Sequence, residues 1–143
     1  MNTPQPLDLS IGATLPPLST GPITRHRVAL YAHGSGDLNP IHVDPDYARQ
    51  QAGLPDVIVH GMYSMGQLSR LLTRWAGPDS VRSIETRFAA MLPVMASLEC
   101  NGVVEAMQPV DGGSLVTVKL VATQGDGMAV ATGSAQVFVA AGR

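Results

Sequence analysis

The chain has 143 residues, 45% of them hydrophobic and 14% charged, with a formal net charge of −2. Its length suits one domain and its apolar content suffices for a core, which excludes a disordered chain and leaves no room for separate cofactor and substrate domains. Nine Lys+Arg residues and 4% aromatic residues provide neither the cationic surface nor the stacking platform of nucleic acid binding, so we expect no nucleic acid partner.

The N-terminal part, residues 1–22, is rich in proline. We predict an extended lead-in, loose over residues 1–8, with one short strand near Ile11–Leu15. It has neither the basic nor the apolar segment of a secretory signal, and no apolar run in the chain approaches the ~18 residues that span a bilayer. We therefore expect a cytoplasmic protein with no membrane partner, in which residues 1–143 form a single domain.

Two short helices and a loop follow. Thr24 is a suitable N-cap for a helix that runs through Ala32. Residues 33–40, HGSGDLNP, have the composition of a loop. Asp44 followed by proline is typical of an N-cap and first helical position, which predicts a second helix over Pro45–Gln51.

The longest helical pattern begins at Gly61 and is stopped by Gly77-Pro78. Within it, large apolar residues recur every three or four positions, which predicts one buried helix face: Met62, Met65, Leu68, Leu72 and Trp75. Small residues on the other sides indicate close packing there too, so we expect this helix to be central.

The chain after Pro78 has the character of strands. Its β-branched segments are separated by turn signals, and they cover residues 81–88, 97–107, 114–124 and 128–140. The single cysteine, Cys100, excludes an internal disulfide and is expected to be a small buried hydrophobe. Together the elements predict an α+β fold in which an antiparallel sheet is covered by the long helix. The charged fraction of 14% is low against a usual ~25%, which indicates that part of the surface is buried against another subunit.

Side chains with catalytic chemistry are concentrated between residues 31 and 69. Asp37 and His42 lie five positions apart across a loop that Pro40 stiffens. A carboxylate and an imidazole aimed at one small volume can activate a water molecule. On spacing alone, the alternative that both residues only shape a turn is equally good.

Other kinds of site are weaker hypotheses. Asp37, His33, His42 and His60 have irregular spacings for a metal site, so we expect no metal. Gly61 stands where a loop becomes the long helix, and the free N–H groups of a helix N-terminus can bind an oxyanion. A plain helix start at Gly61 is an equally good explanation without further information.

A family resemblance adds to these patterns. The segment Tyr31–Ala48, with Ser35-Gly36-Asp37-x-Asn39-Pro40-x-His42, resembles the hydratase-2 motif of the MaoC-like dehydratases. His60-Gly61-Met62 at the start of the long helix is the second hallmark of that family, and Arg87-Phe88 is a softer third. The likeness is strongest to catalytic subunits of mycobacterial (3R)-hydroxyacyl-ACP dehydratases and to (R)-specific enoyl-CoA hydratases.

The resemblance implies a fold and a set of site residues. The fold is a single hot dog domain, an antiparallel sheet wrapped around one long central helix. Asp37 and His42 form the catalytic dyad, and the N–H of Gly61 contacts the developing oxyanion. The resemblance assigns three further residues to oxyanion or substrate binding. Ser69 lines the substrate, and Asn39 holds the loop by hydrogen bonds. His60 is the third.

The resemblance also implies an activity. The reaction is the reversible hydration of trans-2-enoyl thioesters to (3R)-hydroxyacyl thioesters carried on coenzyme A or acyl carrier protein, without cofactor or metal. The family forms dimers with interfacial sites, so a homodimer is expected, with a heterodimer of related subunits as the alternative. A hot dog acyl thioesterase and a non-catalytic acyl-binding subunit remain the competing functions, and which dyad member first accepts the proton stays open.

Overall fold

A computed structural model describes residues 7–142, so most of the segment predicted to be loose, residues 1–8, lies outside the described residues. The elements in chain order are β1 (Leu18–Pro22), α1 (Arg25–Ser35), α2 (Pro40–Val43), α3 (Pro45–Gln50), β2 (Ile58–Val59), α4 (Gly61–Ala76), β3 (Val81–Phe88), β4 (Leu92–Pro93), β5 (Ser97–Val110), β6 (Gly113–Gln124) and β7 (Ala129–Ala140).

Five strands form one antiparallel sheet in the order β1-β5-β6-β7-β3. The long strands β5 and β6 are joined by a tight turn at Asp111-Gly112, where the sequence predicts one. The strands β2 and β4 pair separately as a short ribbon, with Ile58 opposite Pro93. The sheet therefore has two edges, β1 and β3.

Helix α4 packs on one face of this sheet and contacts β3, β5, β6 and β7. Its buried face meets strand residues that alternate between buried and exposed, as a half-buried strand requires, for example Val116, Val118 and Leu120 of β6. Burying each large apolar side chain contributes ~1.5–3 kcal/mol. The buried residues of the helix are Tyr63, Ser64, Leu68, Leu71, Leu72 and Ala76.

This arrangement confirms the predicted α+β hot dog fold with one long central helix. The helix bounds are also confirmed, since α4 begins at Gly61 and ends at Ala76. The predicted face is only partly right: Leu68 and Leu72 are buried, Met65 and Trp75 are half-buried, and Met62 is 55% exposed. The buried face of α4 is rotated relative to the predicted one. It includes Leu71 beside Leu68 and Leu72, and Met62 at the helix start is turned away from the core.

The predicted N-terminal strand is misplaced. The segment Ile11–Leu15 forms only an isolated bridge, between Thr14 and Val103. The strand itself is β1, Leu18–Pro22, which pairs with β5. The hydroxyl of Thr20 accepts a hydrogen bond from the backbone N–H of Leu98 (3.1 Å), so a contact across the sheet fixes this segment.

The predicted loop over residues 33–40 is shorter in the structure. Helix α1 continues to Ser35 and ends at Gly36, whose φ of +77° is the left-handed conformation that glycine adopts without strain. Pro40 then starts the short helix α2. Only the stretch between these two helices is irregular, which leaves Asp37 and Asn39 between two fixed helix ends.

Cys100 is fully buried in the core, as expected of a small hydrophobe. Burial raises the pKa of its thiol to about 12. None of the helices in residues 7–142 is both long enough and apolar enough to span a membrane.

The cap of α3 gives a stability prediction. The carboxylate of Asp44 accepts hydrogen bonds from the backbone N–H groups of Asp46 (3.0 Å) and Tyr47 (3.1 Å). We expect Asp44→Ala to lower the free energy of unfolding by about 1 kcal/mol, and Asp44→Asn, which keeps an accepting oxygen, by less. Urea unfolding of the two variants beside the wild type measures both values. Equal stability of all three proteins would show that this cap contributes nothing.

Candidate active site

The connection from α1 to α2 presents the carboxylate of Asp37. Its backbone N–H donates to the hydroxyl of Ser35 (3.3 Å), and its Oδ1 accepts from the backbone N–H of Asn39 (3.2 Å). The Asn39 side chain in turn caps α2 by accepting from the N–H of Ile41 (3.2 Å). Asn39 thus contributes hydrogen bonds that hold the loop, the role that the family resemblance implies, and Oδ2 of Asp37 is left to face His42.

His42 lies in the single turn of α2 and is 8% exposed. Its Nδ1 is 2.7 Å from the carbonyl oxygen of Ile58. Because a carbonyl oxygen only accepts, Nδ1 carries the proton and the neutral ring has its free lone pair on Nε2. That Nε2 is 3.9 Å from Oδ2 of Asp37. The structure therefore brings the two predicted dyad residues together with their proton-accepting atoms on one side.

His60 lies beneath this pair and is 2% exposed. Its Nε2 donates to the backbone carbonyl of Asp37 (3.0 Å), and its ring stacks on that of His42 with 3.7 Å between centroids and 20° between planes. The substrate-binding role expected of His60 does not fit this position, because the ring is buried behind the dyad and does not line the cavity beside it.

Gly61 begins α4 at the edge of a cavity of about 430 Å³. A Cβ on Gly61 would stand 3.3 Å from three carbons of the Phe88 ring, so the close approach of Phe88 favours glycine here. Among the backbone N–H groups that a helix start leaves unpaired, that of Tyr63 donates to the carbonyl of His60 (3.1 Å), and that of Gly61 is the first of the helix. The cavity is lined by His42, Ile58, Val59, Gly61, Ser64, Phe88, Ala89, Ala90, Met91, Leu92 and Val130.

The serine that reaches the cavity is not the one expected. Ser69 is half-buried, and its hydroxyl donates to the carbonyl of Met65 in the same helix (3.1 Å), so the structure does not place it at this cavity. Ser64 lines the cavity instead and is 3% exposed. Its position three residues after Gly61, on the same helix side, is the signal that could have identified it.

Two groups near the dyad have shifted acidities. Burial lowers the pKa of His60, the nearby His42 lowers it further, and the hydrogen bond to the Asp37 backbone opposes both. Burial raises the pKa of Tyr31, and the charge of Asp37 adds to that rise. The Tyr31 ring packs edge-on against His60 (4.9 Å between centroids). Both rings, those of His60 and Tyr31, are therefore neutral near pH 7.

Asp37, His42 and His60 bring one possible metal ligand each within 4.8 Å of one another. A zinc ion binds imidazole nitrogen at ~2.0–2.1 Å. Because the two histidine rings are stacked and nearly parallel, their in-plane lone pairs run side by side and do not converge on one point. The cluster lacks the geometry of a metal centre.

A family model described as a MaoC like domain matches residues 9–126, more than half of the chain. The chain therefore belongs to the MaoC-like dehydratase family. The expected similarity of this chain to hydratases and dehydratases is confirmed, because its relatives carry those names.

Curated relatives are much longer than this chain. A 3-hydroxyacyl-thioester dehydratase Y of Mycobacterium tuberculosis is 41% identical over 68 residues, which are 46% of this chain and 23% of the relative. The fatty acid synthase subunit beta of Saccharomyces cerevisiae is 33% identical over 110 residues, 75% of this chain and 5% of the relative. The chain thus corresponds to a small part of each.

Solved structures match over nearly the whole chain. The (R)-hydratase from A. caviae involved in PHA biosynthesis has a TM-score of 0.80 and 25% identity, covering 91% of this chain and 96% of that chain. The ChsH1-ChsH2 complex from M. tuberculosis has a TM-score of 0.77 and 27% identity, covering 91% and 98%. The second of these is a complex of two different subunits.

Proposed function

We propose that this chain catalyses the reversible hydration of trans-2-enoyl thioesters to (3R)-hydroxyacyl thioesters. The observation that carries the proposal is the pairing of Nε2 of His42 with Oδ2 of Asp37, 3.9 Å apart, beside an apolar cavity whose rim holds the start of α4 at Gly61. The substrate is an acyl-CoA or an acyl carrier protein thioester, and a cytoplasmic location fits either carrier.

The dyad is arranged to hold one water molecule. Both Oδ2 of Asp37 and Nε2 of His42 accept hydrogen bonds in the tautomer that the Ile58 carbonyl selects. A water that donates one hydrogen to each has its lone pairs directed away from the dyad, toward the cavity. Water held in this way attacks C3 of the enoyl group as the dyad removes its proton.

The helix start completes the reaction. As the oxygen–C3 bond forms, the C2=C3 electron pair moves into the thioester and places negative charge on the carbonyl oxygen. The N–H of Gly61 stabilises that charge, and one such donor contributes ~2.7–4 kcal/mol in the transition state. The dyad then returns the proton to C2 on the face from which water entered, and the carbonyl re-forms.

Assaying the purified chain with crotonyl-CoA tests the proposal. Hydration removes the absorbance of the conjugated enoyl thioester and releases no thiol, and chiral analysis of the product identifies (3R)-hydroxybutyryl-CoA. Release of free CoA without loss of the enoyl group would instead show a thioesterase. No turnover by the isolated chain, with turnover restored by a related subunit and unchanged when this chain carries Asp37→Asn, would show a non-catalytic acyl-binding partner. Crotonyl-ACP and longer enoyl-CoA substrates then identify carrier and chain length.

We further propose that the chain forms a homodimer through β3. This edge strand has eight residues, and within residues 7–142 its outer side has no strand partner. Proteins normally pair or cover such an edge. The opposite edge, β1, has only five residues and ends at Pro22, which suits it less for pairing. A related but different subunit on β3 is the alternative, as the similarity to the ChsH1-ChsH2 complex suggests.

Light scattering checks the assembly. We expect a mass of twice the 15.0 kDa chain at micromolar concentration, because pairing the β3 edges makes one continuous sheet of two copies. A mass of one chain across a dilution series would contradict the homodimer. If dimers form only after a second, different subunit is added, the assembly is a heterodimer.

A further inference from the structure

His60 touches both members of the dyad without facing the cavity. Its Nε2 donates to the backbone carbonyl of Asp37 (3.0 Å), and its ring stacks on His42 at 3.7 Å. The ring of Tyr31 packs edge-on against its other side. A single buried imidazole thus links the backbone that carries the carboxylate to the ring that carries Nε2.

The protonation of His60 follows from these contacts. Its Nε2 must carry the proton, because the carbonyl of Asp37 only accepts. Burial keeps the ring neutral by lowering its pKa, so Nδ1 is an unprotonated acceptor. This Nδ1 is buried and has no hydrogen-bond partner among the described residues. A ring chosen for packing alone would not leave a nitrogen unsatisfied. What histidine supplies here is the Nε2–H donor and a flat face.

Both contacts bear on the geometry of the water site. The hydrogen bond fixes the backbone of Asp37, whose side chain is otherwise 53% exposed. The stacking face, together with the Ile58 carbonyl, prevents rotation of the His42 ring. A neutral neighbour also does not repel the positive charge that His42 gains when it takes a proton from water.

We infer that His60 is a positioning residue. It fixes the relative positions of Asp37 and His42 through one hydrogen bond and one stacked face, and it does not contact substrate. This inference rests on the proposed hydratase function for its kinetic test. A displacement of ~1 Å in a catalytic group costs about 10²-fold in rate. Loss of His60 is therefore expected to lower kcat and to leave KM nearly unchanged.

Three variants separate the contributions. The amide nitrogen of His60→Gln reaches the place of Nε2 and keeps the bond to Asp37, whereas that of His60→Asn is too short to do so. His60→Phe keeps a stacking face and removes the donor. We expect a fall in kcat of about 10–100-fold for the Asn and Phe variants, with KM within twofold and substantial rescue by Gln. Ser80→Ala, which removes a buried hydroxyl that donates to the backbone carbonyl of Ala76, is the control with unchanged kcat.

Nitrogen NMR of the imidazole rings gives a readout that does not depend on turnover. We expect Nε2–H on His60 and Nδ1–H on His42 in the wild type. His60→Asn removes the stacking face, so the His42 ring can rotate away from the Ile58 carbonyl and mixed His42 tautomers are expected, whereas His60→Phe keeps that face and the Nδ1–H tautomer. If the wild type has no hydratase activity but His42 changes in this way, the positioning role stands and the proposed function fails. Unchanged His42 tautomers in every variant, or a raised KM with unchanged kcat, would overturn the positioning role. Variants that do not fold are recognised by urea unfolding. The tautomer of wild-type His60 then carries the test, because Nδ1–H on His60 would mean that Nε2 does not donate to the Asp37 carbonyl and would overturn the positioning role.

Discussion

Asp37→Asn and His42→Gln are each expected to lower kcat for crotonyl-CoA hydration by about 10²–10⁴-fold. The asparagine keeps the shape of Asp37 and its hydrogen bond to the Asn39 backbone but removes the negative charge and the base. The glutamine removes the imidazole Nε2 that faces Oδ2 at 3.9 Å. Steady-state kinetics with enoyl-CoA, beside urea unfolding of each variant, measures the loss and verifies the fold.

The double variant distinguishes a working pair from two independent residues. If both groups hold one water, removing either leaves that water without its second acceptor. The double variant Asp37→Asn/His42→Gln is then expected to be about as slow as either single variant, as in other catalytic groups that act as a unit. Losses that multiply in the double variant would mean that each residue acts separately.

Asp44→Asn is the matched control, because it changes a second carboxylate of the same segment. Both oxygen contacts of Asp44 go to the first turn of α3, and its carboxylate is a helix cap in the structure. We expect near-normal kcat for this variant. Near-normal hydration by folded Asp37→Asn would refute the dyad. Loss of activity in folded Asp44→Asn would identify the Asp44 carboxylate as the catalytic one.

Local sequence signals predict those parts of the fold that depend on local structure. The repeat of apolar residues predicts α4, and Asp44-Pro45 predicts the start of α3 because cap and first position are adjacent in sequence. Strand β1 is different, since Leu18–Pro22 has little β propensity of its own. Its place depends on pairing with β5, and the two-residue strands β2 and β4 are too short to show any periodicity.

The candidate site likewise has a part that the sequence predicts and a part that depends on tertiary structure. The motif resemblance identifies Asp37 and His42, and their loop is short enough that spacing alone brings them near each other. The relation of His60 to His42 depends on ring orientation across 18 positions of chain, for which no sequence pattern exists. The tautomer of His42 likewise depends on the Ile58 carbonyl, a backbone group that residue type does not reveal. These parts of the site therefore depend on tertiary structure and not on local sequence.

Gly61→Pro is expected to lower kcat by about 10²–10³-fold relative to Gly61→Ala, the loss typical of one oxyanion donor. Proline removes the N–H that the proposed mechanism uses, yet it suits this position. It is favoured at the first residue of a helix, and His60 before it has φ −58° and ψ 137°, the extended conformation that precedes proline. The helix start is therefore expected to survive the change.

Gly61→Ala is the necessary reference because alanine keeps the N–H and adds the same Cβ. In both variants that Cβ stands 3.3 Å from the Phe88 ring, and since Phe88 is 50% exposed the ring has room to move. The ratio of the two kcat values therefore cancels the cost of the added Cβ and reports the change at the backbone nitrogen, where the proline ring carbon Cδ replaces the N–H hydrogen. Kinetics with crotonyl-CoA, with urea unfolding as the check on folding, measures this ratio. Equal kcat for Gly61→Pro and Gly61→Ala would remove the Gly61 N–H from the mechanism and assign the oxyanion to another donor.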